Sequence, residues 1–566
     1  MPAGHTARFL AVTEGTHSLP VVDRRPTPVP PDDLYRLARL FAEAWAQSME
    51  RAAPGIFTKL LPGIDLRPAY IVATTLRLGQ VNLPRLISYL EVADRTEPIA
   101  IVDLGLDGRQ VLRAERRLRR RFGRRRVHFL SAQSTVGLRK AADLIETSLS
   151  ERRSLEGVAG SDVLAIVGTH RELPALSPVI DALEAGSLAI LPKTSSPEAE
   201  RAAHQLAERE QATLLPVADT LSWDSPLARK AVESLRKVQG EIRQLGPLMV
   251  TRMLPLLRMV RHSTILAAAL GAAQPRVVVG SFDRTPTGAL LRHAARTSGC
   301  KPAIIDLQHG TLLPFHIVDL MDFDLVLAWN EASRSLLDRE SRGKLRSIAV
   351  VGNPLWDTLA EDNERMPGPL REWASKYSII AYFPQPPKGA YLTSQTMLRV
   401  MRELTEVVTN IPGTALLVRP HERDEEAAFD PGIVSLHDRV RIVEEKEADL
   451  ATVLRLARVA VSVYSTALAD ARAAGVPAVS FDPAGIAPRL GLDFADEVSF
   501  CRTQDELAQA IRIALSSHAP PPSSRVIPSF DRPYRDRIRG PLQHFGLASM
   551  GGSTAESLNP TEDAAP

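Results

Sequence analysis

Cysteine is nearly missing: Cys300 and Cys501 are the only two in 566 residues. Two thiols cannot supply a disulfide framework or a cysteine-based zinc site, and they fit a reducing compartment. Aromatic residues are sparse, at 5% of the chain. No apolar run approaches the roughly 18 residues of a membrane span, so none is expected. The amino end, MPAGHTARFLAVTEG, lacks the basic stretch followed by an apolar stretch of a secretory signal. An excess of one charge is missing as well. The 69 basic and 66 acidic residues leave a net charge of +3, which excludes the chain-wide bias of a nucleic-acid binder. There is no GxxxxGK[ST] phosphate loop, no HExxH and no GxSxG elbow. The thirteen histidines are scattered without ligand spacing, so neither a metal nor a cofactor is expected. A cytoplasmic location is the expectation that remains.

What is present is a long, ordinary globular composition, 44% apolar and 24% charged. Single hydrophobic cores stop growing at about 250–300 residues, so at least two domains are expected. Residues 1–31, rich in proline, read as a disordered arm, and 546–566 as a disordered tail. Asp32–Ala53 has the period of an amphipathic helix. From Pro68 onward apolar runs alternate with helical stretches: AYIVATT, PIAIVDLGL, VHFLSA, DVLAIVG, LAILP and ATLLPV read as strands. Residues 226–272 read as one or two long helices broken near Gly246-Pro247. RVVVGS, PAIIDLQ, LVLAW and SIAVVG continue the strands. A polar stretch at 361–376 then marks a boundary, and SIIAYFP, ALLVRP, VRIVEE, VAVSVYS and AVSFD restart the alternation. Such alternation implies parallel sheets built from βαβ units. The expected fold is α/β, with two Rossmann-like parallel-sheet domains facing a crevice and helical additions at the amino end. The first domain is expected over 32–360 and the second over 377–517, followed by a linker and terminal helix over 518–545.

Open α/β sheets bind ligands beyond the carboxyl ends of their strands. Five polar constellations fall there. After RVVVGS come Asp283 and Arg284, at the start of the helix GALLRHAART; Asp283 suits a base, or a cap and turn. After PAIIDLQ come Gln308, His309 and Gly310, where a histidine at a strand end can reach a phosphate or sugar or be satisfied by a tight turn. After TALLV come Arg419, His421 and Glu422, suited to phosphate and hydroxyl recognition or to a salt-bridged loop. After VAVSV come Tyr464, Ser465 and Thr466, an anion site or a helix cap, with Asp470 one turn on. After SIIAY comes the loop carrying Gln385. Asn353 lies just before the boundary. Arg109–Arg126 holds ten arginines on an expected helix. It suits an anionic membrane face or a polyanionic glycan, or plain solvation, and its few large apolar residues favour solvation.

The succession QHG, LAWNEASRSLL, VVGNPLWD, LLVRPHERD and DLATVLRLARVAVSVYSTALADARAAGVPAVSFD resembles bacterial surface and capsular polysaccharide glycosyltransferases of GT-B fold, the polysialyltransferase-like group. The resemblance covers roughly 275–515. It implies a glycosyltransferase moving a sugar from a nucleotide-activated donor to a glycan or lipid-linked acceptor, without a metal. It also implies a nucleotide contact at His421 and a phosphate contact at Ser465 and Thr466. Here the order is Pro-His-Glu where the family reads His-Pro, which leaves the nucleotide base open. Asp283 or His309 is the expected base, and peripheral contact with the inner membrane is expected through Arg109–Arg126. The same fold and similar loops occur in UDP-N-acetylglucosamine 2-epimerases, whose Asp-Ser-Gly-Gly loop is replaced here by Tyr464-Ser465-Thr466-Ala467. Glycerol- or ribitol-phosphate transferases and a non-catalytic glycan-assembly subunit are the other readings.

Overall fold

The computed structural model describes residues 8–12, 31–52, 54–61, 63–78, 99–103, 127–130, 160–193, 197–215, 247–282, 285–310, 317–359, 368–385, 394–420, 438–444, 447–483, 485, 498–516 and 532–544. At the amino end come strand β1 (Arg8–Val12), helix α1 (Pro31–Ala52) and helix α2 (Arg67–Arg77). Pro31 opens α1, where its missing N–H has no partner to lose. Tyr35, Ala42, Ala46 and Met49 form one buried stripe of α1 in the core of the first domain. Ala38 and Trp45, on another part of the helix, belong to the core of the second domain.

Two expectations are corrected here. The run AYIVATT, expected as a strand, lies inside α2, with Pro68 in the first turn. Ala69, Tyr70, Ile71, Val72 and Thr75 are all buried, because neighbouring helices enclose α2. A short apolar run reads alike as a buried strand or as a helix buried all round, and packing decides. The second correction concerns the expected disordered arm. Within it, β1 pairs in parallel with β2 (Ile99–Asp103), which pairs with β3 (Val127–Leu130) in a three-stranded sheet. An apolar pentapeptide, RFLAV, becomes a strand when a neighbouring edge takes its backbone bonds. The arginine-rich segment 109–126 lies outside the described residues.

The first large domain contains β4 (Val163–Val167), α3 (Leu173–Leu183), β5 (Leu188–Pro192), α4 (Pro197–Glu210), β6 (Thr213–Leu214), α5 (Pro247–Ala273), β7 (Val277–Gly280), α6 (Pro286–Thr297), β8 (Ala303–Leu307), β9 (Leu325–Ala328), α7 (Glu331–Ser341) and β10 (Ile348–Val350). Its strands run parallel in the order β10-β9-β8-β7-β4-β5-β6. Successive side chains of a strand alternate between faces. Leu164, Ile166, Val278 and Ile304 therefore pack in one core, and Val163, Ala165, Val279 and Ile305 in the core on the opposite face. Burial on both sides explains why these strands read as continuous apolar runs.

The crossover carries α8 (Pro354–Leu359), and the second domain contains α9 (Gly368–Ala374), β11 (Ser378–Tyr382), α10 (Ser394–Asn410), β12 (Thr414–Val418), β13 (Val440–Ile442), α11 (Leu450–Leu456), β14 (Ala457–Ser462), α12 (Ala467–Ala473), β15 (Ala478–Phe481), β16 (Val498–Cys501) and α13 (Gln504–Ser516). The parallel order is β13-β12-β11-β14-β15-β16. The strand β16 was not expected; its four residues alternate too briefly to stand out. Leu370 and Ala374 of α9 already belong to the second core, ahead of the boundary expected at 377. The last helix, α14 (Tyr534–His544), returns to the first domain. Its Tyr534, Ile538 and Leu542 pack in the core cluster that holds Leu176 and Val179 of α3.

In each of the two large sheets the chain winds outward one way, returns to the middle and winds the other way. The reversals lie between β4 and β7 and between β11 and β14. Trp329, immediately past β9, packs against the second core, so the carboxyl end of the first sheet meets the second domain. This is the GT-B arrangement: two Rossmann-like α/β domains with helices added at the amino end. No helix among the described residues is long and apolar enough to cross a membrane.

Gly280 closes β7 where the two central strands are tightest. A Cβ there would meet the Ile166 carbonyl oxygen at 2.6 Å and the Phe282 ring at 2.7 Å. The glycine therefore serves strand packing. Gly280→Ala is expected to destabilise the protein by roughly 1–3 kcal/mol, the usual cost of overpacking. Urea unfolding checks this, and an unchanged midpoint would refute the close approach.

Candidate active site

The reversal points put particular loops at the carboxyl ends of the central strands, where open α/β sheets bind ligands. In the first domain the exit of β7 is held by its neighbour β8 and by Lys193, just past β5. Ser281 Oγ donates to the Leu307 carbonyl at 2.8 Å. Lys193 Nζ donates to the Ser281 carbonyl and lies 5.9 Å from the Phe282 ring centre. The Phe282 amide donates to Asp306 Oδ1 at 2.6 Å, and Asp306 is fully buried. Glu172 Oε2 accepts from the Gly168 amide at 2.9 Å, and its other oxygen lies 3.9 Å from Lys193 Nζ. Thr287, in the first turn of α6, meets His262 Nε2 of α5 at 2.7 Å. Asp283 and Arg284 follow this anchored exit and lie outside the described residues.

Glu172, Lys193 and Asp306 were missed in the sequence. One signal was available: a carboxylate in the middle of AIIDL, a strand buried on both faces, has to have a partner. Glu172 and Lys193 gave a weaker one, since each falls just past a strand end.

Gln308 is 4% exposed and fully engaged by protein. Its amide donates to the Gly310 carbonyl at 2.9 Å and to Ser333 Oγ at 3.0 Å, and its oxygen accepts from the Trp329 amide at 2.7 Å. Expected as a crevice residue, it acts here as a brace for the turn that presents half-buried His309. Gly310 has φ 83°, a left-handed conformation that favours glycine.

In the second domain, Gln385 Oε1 accepts from the Tyr464 amide at 3.0 Å, directly across the β11–β14 reversal. Ser462 Oγ donates to the Phe383 carbonyl at 2.6 Å beneath it. Tyr464 is 6% exposed and belongs to the core, so its ring supports the loop. Ser465 Oγ accepts from the Ala467 amide at 3.2 Å, a local turn bond just ahead of Thr466, the N-cap of α12. Half-buried Thr466 stands beside it. Arg419, past β12, is half-buried, and its Nε donates to the Ala448 carbonyl at 3.5 Å. His421 and Glu422 lie outside the described residues.

Asn353 and Asp470, 117 residues apart, meet where the domains join. Asp470 Oδ1 accepts from Trp356 Nε1 at 2.9 Å and from Asn353 Nδ2 at 3.4 Å. Burial raises this carboxyl from its ordinary 3.8 to about 7, while the two hydrogen bonds pull the other way. Burial also pushes both thiols up, Cys501 to about 11, which removes them as nucleophiles near neutrality. Among the described residues no group of three or more His, Cys, Asp or Glu side chains could hold a metal ion.

No protein-family model and no curated protein matches this chain. Several solved structures are similar. The S. aureus MnaA–UDP structure is 14% identical with a TM-score of 0.46, over 70% of this chain and 100% of that one. The UDP-GlcNAc 2-epimerase of Methanocaldococcus jannaschii is 15% identical with a TM-score of 0.44, over 68% and 99%. Arabidopsis thaliana UGT89C1 with UDP-L-rhamnose is 15% identical with a TM-score of 0.39, over 70% and 96%. Likeness at this level carries no information on chemistry.

The Asp470 carboxyl has a consequence for stability. Between about pH 4 and 7 the folded protein keeps a proton that the unfolded chain releases, so this stabilising term is largest at low pH and lost as pH rises through 7. Asp470→Asn removes the titration. The stability of the wild type relative to this variant is expected to fall by a few kcal/mol between about pH 4 and about pH 8. Denaturant titrations across that range measure it, and a difference independent of pH would contradict the buried carboxyl.

Proposed function

We propose that the chain is a glycosyltransferase, moving a sugar from a nucleotide-activated donor to a surface or capsular polysaccharide, or a lipid-linked acceptor of that class. One observation carries the reading: the described loop residues at the reversal points of two parallel sheets are braced by side chains, with half-buried polar groups beside them at the strand ends. Arg419, His421, Glu422, Ser465 and Thr466 hold the nucleotide and its phosphates. The acceptor binds on the first domain, near His309 and Asp283. Its hydroxyl oxygen attacks the anomeric carbon, the bond from that carbon to the phosphate oxygen breaks, and the nucleotide leaves with the electron pair. Asp283 or His309 takes the hydroxyl proton. Arg419 and the hydroxyls of Ser465 and Thr466 stabilise charge on the departing phosphate. The reaction takes place in the cytoplasm, and Arg109–Arg126 can bring the protein to the anionic inner face of the membrane.

The test is a melting series with CMP, CDP, UDP, GDP and dTDP. A ligand at about 100 times its Kd stabilises the native state by about 2.7 kcal/mol. One nucleotide is expected to raise the melting temperature, and Arg419→Ala or His421→Ala to abolish the rise. No shift with any of them overturns the reading. Incubating the matching nucleotide sugar without acceptor then separates the chemistries: a transferase leaves the sugar's configuration unchanged, whereas a 2-epimerase interconverts it.

A further inference from the structure

The junction of the two domains contains a connected set of contacts that the proposed chemistry does not use. Trp329 leaves the first sheet at the end of β9 and packs against the second core. Its ring stands edge-on to that of Trp356 in α8, 6.3 Å between centres and 61° between planes. Trp356 is 8% exposed, and its indole N–H ends on Oδ1 of Asp470 in α12 at 2.9 Å. The backbone of Trp329 is held by Gln308, the residue before His309. On α8, Asp357 is tied the other way. Its carboxylate pairs with Arg537 Nη1 at 3.0 Å and accepts from the Tyr534 amide, both on the helix α14 that packs on the first domain. Arg537 Nε also donates to the Val351 carbonyl at 2.6 Å, at the start of the crossover. The short helix α8 is thus bound to the second domain through Trp356 and to the first through Asp357.

We propose that α8 is a latch between the domains, and that Asp470, acting through the indole of Trp356, is a positioning residue that sets the width of the crevice. The physical basis is the cost of breaking the contact. A buried carboxyl and a buried indole N–H each need a partner, and the second donor to Asp470, Asn353, comes from the same crossover as Trp356. Separating the domains at this seam therefore loses a hydrogen bond and the edge-on contact of the two tryptophans together. The same displacement would pull on the Trp329 backbone and, through Gln308, on the turn carrying His309. Two-domain α/β enzymes commonly open and close by rigid rotation about such elements.

The activity arm of the test rests on the glycosyltransferase reading; the structural arm does not. Full-length Trp356→Phe keeps the ring and loses the donor, Asp470→Ala loses the acceptor, and the double variant loses both. Small-angle scattering without ligand is expected to give a larger radius of gyration for each single variant than for the wild type. The double variant should widen no further than the larger single effect, because the Trp356–Asp470 bond is broken in all three and only Asp470→Ala also removes the bond from Asn353. Unchanged radii in both single variants, or additive widening, overturn the latch. Should Asp470→Ala fail to fold, Trp356→Phe decides alone. Where the wild type turns over, Trp356→Phe is expected to lower kcat roughly ten- to a hundredfold, the cost of a slight misplacement of reacting groups. Its nucleotide Kd, measured by melting with the effective nucleotide, should hold within about twofold. A fall in affinity with kcat preserved would overturn the positioning role. A wild type that binds no nucleotide removes the glycosyltransferase reading, and scattering still decides the latch.

Discussion

Oδ1 of Asp470 accepts from the indole of Trp356 and the side-chain amide of Asn353 in a place where water is almost excluded. A carboxyl 4% exposed to solvent stays there only because donors have been brought to it. Those donors come from the crossover between the domains. The bond therefore fixes how the second sheet meets the first, and the mutual position of every crevice residue follows from it. Asp357, two residues before the end of α8, ties the same short helix to Arg537 and so back to the first domain.

Both halves of the crevice use one local device. A serine past or at the end of one central strand donates to a carbonyl at the end of its neighbour: Ser281 to Leu307 in the first domain, Ser462 to Phe383 in the second. A side-chain oxygen then takes a backbone amide of the adjoining loop, Asp306 for Phe282 and Gln385 for Tyr464. Loop backbones at a strand end have lost the sheet as a partner, and buried side chains satisfy them. Ser281, Phe282 and Tyr464 are thereby held before any ligand arrives, which is the condition for electrostatic stabilisation without reorganisation.

The division between bracing and presenting groups changes the meaning of several residues. Gln308 and Tyr464 are buried and support the turns beside them, and Asn353 and Asp470 satisfy each other. His309, Arg419, Ser465 and Thr466 remain half-buried at the strand ends. Lys193 lies close to Glu172, so its charge is paired rather than lone.

The sequence by itself determined the class of fold. Strands buried on both faces have to be continuous apolar runs, and VLAIV, AIIDL, TALLV and ARVAVS announced themselves in that way, with polar residues waiting at their ends. It also marked the strand-end loops, because strand order and ligand position are linked in open parallel sheets. It failed at AYIVATT, where an apolar run enclosed by other helices has no period to read. It failed again at Lys193 and Asp306, whose partners come from elsewhere in the sheet, and at Glu172, which accepts from the nearby Gly168 amide and faces Lys193. Which polar groups brace and which present was decided by tertiary structure alone. Whether Asp470 faces water or an indole 114 residues away depends on the packing of two domains, and no local pattern of residues encodes that distance.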